Sequence, residues 1–245
     1  MERNRVPVGE LAAEVRTGLI PLGTTFAWFS LVPLADDDTR QYLEEPIAAL
    51  PPLLIAALGR VEIILAPYLE KGNGKSGDVV VYEAPAEARQ IFSARVDSTA
   101  GATLAFGVKD EEIADYHYTF YSAIAGLVAS EEKSEAQERY RRTLREELAA
   151  EVHGEVDERS WHLKQALLRR SATIRKETRH FRDYARQSFE DTLTLYLHGI
   201  CCDIDVETGP RQMPSRYLRR RLEMLSAVFP PPEGYAVLPE SGKKR

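Results

Sequence analysis

Between Thr24 and Val108 the apolar residues gather in short runs rich in β-branched and aromatic side chains; from Asp110 onward they recur at helical spacing. A chain with its strands in one half and its helices in the other does not build alternating βαβ layers, so the fold class is α+β. The segments Thr24 to Val32, Val61 to Leu69, Asp78 to Tyr82, Gln90 to Val96 and Thr103 to Val108 read as strands. Turn-forming residues join the last four of these, with links too short for helical crossovers. The expectation is an antiparallel β-sheet with short helices in the N-terminal half, followed by a long-helix C-terminal bundle.

The short helices fall at two places. Residues 8–16 form one, stopped by Gly18 and Pro21. Asp36, Asp37 and Asp38 supply the cap and acidic first turn of another, which Pro46 and Pro51 break before Gly59. In the C-terminal half, Ile113, Phe120, Ile124 and Leu127 define a first helix, and Ala136, Tyr140, Leu144 and Leu148 a second. A third pattern runs from Glu158 to His198. As one helix it would extend about 60 Å, so it bends, projects or divides into two. Ser215 to Val228 is the last helix, closed by Phe229-Pro230-Pro231-Pro232. The organisation expected is an acidic sheet-containing region over 1–130, a helical region with a basic face over 131–229, and an extended tail over 230–245.

An apolar fraction of 44% and a charged fraction of 29% argue against a disordered chain. The longest apolar run, Ile47 to Leu58, is interrupted by Pro51-Pro52 and is too short to span a bilayer. No apolar stretch follows the charged N-terminus as a secretory signal requires. The two cysteines, Cys201 and Cys202, are adjacent and cannot staple distant segments. Together these features point to a cytoplasmic protein without membrane association.

Charge is distributed unevenly. Residues 1–158 hold 15 Lys/Arg against 28 Asp/Glu, and residues 159–221 hold 14 against 7. Most of the second group is arginine, whose planar fork suits carboxylate or phosphate. Arg175 and Arg179, with Arg216, Arg219 and Arg220, are the candidate partner or anion contacts, and Arg221 belongs to the same cluster on the last helix. The arginines are read first as pairing with the acidic part of the chain, internally or across a homodimer. A protein partner comes next and nucleic acid last, because the whole chain has a net charge of −6.

Candidate chemistry is sparse. His198, Cys201, Cys202, Asp203 and Asp205 crowd the end of the third helical pattern. His198, Cys201, Asp203 and Asp205 have metal-ligating chemistry, and His198 with Cys201 or Cys202 could form a nucleophilic pair. Their spacing matches no zinc motif, and the plainer reading is a helix end at Gly199 with cysteines packed as small apolar groups. Gly72-Asn73-Gly74-Lys75-Ser76 is not a phosphate-binding loop: Leu69 stands where the motif needs glycine, and a strand follows instead of a helix. Glu177-Thr-Arg-His180 is the one Glu-x-x-His pair, where a diiron bundle uses two. His117 reads as a half-buried helix residue. No cofactor is expected. The leading expectation is a non-catalytic interaction or regulatory protein acting through its helical half. A metal- or thiol-dependent enzyme and a nucleic-acid binder are the alternatives.

Overall fold

The computed structural model describes residues 5–73, 77–99, 101–130, 134–169, 176–201 and 213–235. The chain divides into two compact units, one comprising residues 1–48 and 55–123, the other 49–54 and 124–245. Their elements, in chain order, are β1 (Arg5–Pro7), α1 (Val8–Val15), β2 (Ile20–Leu22), β3 (Phe26–Ser30), α2 (Asp36–Thr39), α3 (Glu45–Ala48) and α4 (Pro52–Ala57). Then come β4 (Val61–Ala66), β5 (Tyr68–Glu70), β6 (Val79–Val81), β7 (Gln90–Ile91), β8 (Ser93–Ser98) and β9 (Gly101–Gly107). The helices α5 (Ile113–Ala129), α6 (Glu135–Ala149), α7 (Glu158–Leu168), α8 (Arg179–Cys201) and α9 (Ser215–Val228) complete the chain. The division between units falls inside α5. No helix among the described residues is long and apolar enough to cross a membrane.

The sheet unit is α+β with two sheets, ordered β2-β3-β4-β9-β8 and β1-β6-β5-β7. The smaller sheet is antiparallel throughout, as are the pairs β2–β3 and β8–β9. The centre of the larger sheet departs from the antiparallel expectation: β3–β4 and β4–β9 run parallel. Parallel neighbours need a crossover of a dozen or more residues. The helical stretch between β3 and β4 supplies one, and the excursion through β5 to β8 supplies the other. All six residues of β4, Val-Glu-Ile-Ile-Leu-Ala, are buried, as in a central strand covered on both faces.

On one face Val8, Leu11, Ala12 and Val15 of α1 pack with Ile64, Ala66, Leu69 and Ala105. Their spacing is one helical stripe, which is why this short segment folds as a helix against the sheet. On β9, Phe106 stands 5.5 Å from the Tyr116 ring and 5.9 Å from the Phe120 ring of α5. His117 is buried, its Nε2 2.8 Å from the Gln41 carbonyl oxygen. At the start of α2 the Asp38 carboxylate accepts the Ala35 N–H at 2.9 Å, as expected of an acidic first turn.

In the helical unit Ser134 caps α6, its hydroxyl accepting the Gln137 N–H. Ala136, Tyr140, Leu144 and Leu148 are all buried, so the stripe is the core-facing side of this helix. The pattern from Glu158 to His198 is two helices, α7 and α8. Asp157 caps α7 by accepting the Arg159 N–H at 2.9 Å, and Thr178 caps α8 by accepting the Phe181 N–H at 3.2 Å.

Candidate functional site

The helical unit carries a cluster of charged groups inside its core. Residues on one side of a helix recur three, four and seven positions apart. On α6 this brings Tyr140 and Glu147 inward, on α8 Tyr184, Ser188 and Thr192, on α7 Lys164 and on α9 Arg221. Glu155 joins them from the α6–α7 link, after Gly154 turns the chain at φ +80°. The Arg221 side chain is 0% exposed. Its Nε donates to both oxygens of Glu147 at 3.1 Å and its Nη2 to Glu147 Oε2 at 2.5 Å. Towards Glu155 its Nη1 and Nη2 donate at 2.8 and 3.0 Å, a bidentate fork. Nη1 also donates to Tyr140 Oη and Ser188 Oγ, each at 2.9 Å. Lys164 Nζ donates to the Gly154 carbonyl at 2.8 Å and lies 3.5 Å from Glu155. Tyr184 donates its hydroxyl proton to Glu155.

Two cations and two carboxylates make the cluster neutral, which is the condition for keeping charge in a dry interior. Burial alone would push the Glu155 carboxyl up; the Arg221 charge and hydrogen bonds, with Lys164 and Tyr184, outweigh it and hold the group at about 2. Burial lowers the Lys164 ammonium, against the pull of Glu155. Burial also raises the Tyr140 and Tyr184 hydroxyls, so both remain protonated. Solvent does not reach these groups, and their chemistry is that of a fastening between α6, α7, α8 and α9.

The exposed counterpart is an open groove of about 850 Å³ along α7 and α8. Glu158, Arg159 and His162 line it from α7, and Arg179, Asp183 and Arg186 from α8. The signs alternate along both helices, with Glu158 3.4 Å from His162 and Arg179 3.7 Å from Asp183. Beside the groove, burial pushes the Asp191 carboxyl up to about 6. Hydrogen bonds from Ser160 and Gln187 oppose that shift, and the charges of Asp157 and Glu190 add to it.

The residues singled out in the sequence fall in different places. His198 and Cys201 are half-buried in the last turn of α8, while Cys202, Asp203 and Asp205 lie outside the described residues. Among the described residues no three His, Cys, Asp or Glu side chains are grouped as a metal ion would require. Glu177 of the Glu-x-x-His pair is bonded to Arg145. Arg179 is 86% exposed. On α9, Arg216 stacks over the Tyr217 ring at 4.7 Å, Arg219 is exposed, and Arg220 pairs with Glu146. Arg175 lies outside the described residues. Arg221, grouped with these by charge, is instead the centre of the buried cluster; Lys164 and Glu155 were not singled out at all. The signal was present: Arg221 falls on the Leu218, Leu222, Leu225 stripe and Glu147 on the Tyr140, Leu144, Leu148 stripe. Comparison with protein-family models, with curated proteins and with solved structures finds no match to this chain.

Proposed function

We propose that this chain is a non-catalytic interaction protein, cytoplasmic by its cysteine usage, whose helical unit binds a charged segment of another protein or of a second copy of itself. The α7–α8 groove carries this reading. Its rim presents both signs of charge to solvent, whereas the charges best suited to acid–base work, around Arg221, are closed off from any substrate. Alternating charge gives register and partner choice more than affinity. Asp183 falls within the run Arg179, Arg182 and Arg186 and Glu190 follows it by one turn, which disfavours a continuous track for nucleic-acid phosphates. The test is cross-linking mass spectrometry on the full chain in cells, beside an Arg179→Glu/Arg186→Glu variant. Cross-links to a single partner that map to α7 and α8 and vanish with charge reversal support the reading. Partners retained unchanged by the variant, or cross-linked only elsewhere, count against it.

A further inference from the structure

The sheet unit holds a second charged arrangement, independent of the helical groove. Glu70 lies on β5, an inner strand of the smaller sheet, and its side chain is 6% exposed. One of its oxygens receives Arg5 Nη2 at 2.8 Å, from β1. The other receives Arg89 Nε at 2.7 Å, from the turn that leads into β7. Arg89 is tied further, its Nη2 donating to the Lys71 carbonyl at 3.1 Å and to Asn73 Oδ1 at 3.4 Å. The two arginine side chains are 53% and 41% exposed and line a cleft of about 330 Å³, with Val81, Ala84 and Pro85 as its apolar wall.

One carboxylate can be satisfied by one guanidinium in a bidentate fork. Here each guanidinium takes a single oxygen, so neither fork is filled by Glu70. With Glu83 exposed at the rim the lining is neutral overall, but guanidinium donors that Glu70 leaves unfilled face an apolar wall. The donors are also preorganised: their positions are fixed by a buried carboxylate and by backbone, so little side-chain entropy is lost when a ligand arrives. The size suits a small group, since ligand pockets run from about 300 to 1,000 Å³. We propose that this cleft is a binding site for a compact oxyanion, a phosphate or carboxylate group held between Arg5 and Arg89, with Glu70 as the positioning residue.

The test is calorimetric titration of the full chain with inorganic phosphate and, separately, with acetate, at constant ionic strength. One-site saturable binding of either is expected, and the preferred anion tells a phosphate ligand from a carboxylate. Arg89→Gln should weaken it at least tenfold, and Arg89→Lys should retain part of it. Arg5→Gln should weaken it at least tenfold as well. Glu70→Gln, which leaves both guanidinium groups without the carboxylate that fixes them, should weaken it several-fold with the far-UV circular dichroism unchanged; a purely structural clamp would only lose stability. Saturation by neither anion at millimolar concentration, or equal affinity in wild type and Arg89→Gln, overturns the proposal.

Discussion

Replacing Arg221 by methionine removes one of two cations from a cluster that holds two buried carboxylates. Glu155 keeps Lys164 at 3.5 Å, but Glu147, which takes three hydrogen bonds from Arg221, loses its fork. Breaking a buried ion pair from one side costs about 3–5 kcal/mol, because the remaining charge stays in a dry interior without compensation. Against a total stability of about 5–15 kcal/mol, that loss is a large fraction. Removing both partners has a different consequence. Arg221→Met/Glu147→Leu leaves Lys164 facing Glu155, again neutral, and fills the space with apolar side chains, so it should lie within about 2 kcal/mol of wild type. The two tryptophans make the assay specific to one unit: Trp28 is on β3 and Trp161 on α7. In a Trp28→Phe background, urea unfolding followed by Trp161 fluorescence reports the helical unit. A single variant that loses under about 1 kcal/mol, or a double variant at least as unstable as the single, would refute the account of Arg221 as an obligatory counter-charge.

Four further outcomes follow from the geometry. Glu155 is held below its unfolded value, so its contribution is complete above about 4.5 and is lost as pH falls towards about 2. Acid unfolding of the helical unit should therefore steepen in that window, and Glu155→Gln should remove the dependence. Asp191 and Glu111 have the opposite sign, raised by burial to about 6 and about 7, so the stability they add is present at acid pH and lost as pH rises through those values. Asp191→Asn should flatten the Trp161-monitored profile between about pH 4 and 6, and an unchanged slope would count against the burial of that carboxyl. Glu151 sits at φ +52° just past the end of α6, where glycine carries no steric cost, so Glu151→Gly should raise stability by about 1 kcal/mol in the same urea assay. Gly101, at φ +142°, would place a Cβ 2.1 Å from the Arg60 carbonyl oxygen, so Gly101→Ala should lower the thermal midpoint of the sheet unit, at a cost of at least about 1–3 kcal/mol.

The helices were legible in the sequence because their apolar stripes recur at helical spacing. Ser215 to Val228 begins and ends where its pattern does, and the stripe at Ala136, Tyr140, Leu144 and Leu148 is buried throughout. The strands were legible as segments but their partners were not. Val61 to Leu69 is apolar on every residue but Glu62, which fits either a two-sided central strand or an uninterrupted edge-to-centre run. The deciding fact, that the helical stretch from Ala35 to Ala57 serves as the crossover into β4, concerns residues outside the strands themselves. β1 was missed because Arg5-Val6-Pro7 has no β pattern of its own; its pairing with Val79 to Val81 is tertiary.

The arginines show why counting charge along a chain misplaces its chemistry. Arg219, Arg220 and Arg221 are indistinguishable by composition, yet the first is exposed, the second pairs with Glu146 at the surface and the third is sealed in the core. What separates them is helical phase. Arg221 follows Leu218 by three positions and precedes Leu225 by four, so it stands on the buried side. A charged residue in that phase needs a partner in the same phase on a facing helix, or the burial is prohibitive. Glu147 meets the condition on α6, three positions after Leu144, and Lys164 meets it on α7, three before the buried Leu167. An arginine, a glutamate and a lysine each set within an apolar stripe are thus one prediction, a buried ion cluster, made by three helices that are separate in sequence. The helices follow from the stripes alone; the cluster follows only when charges that interrupt them are required to satisfy one another.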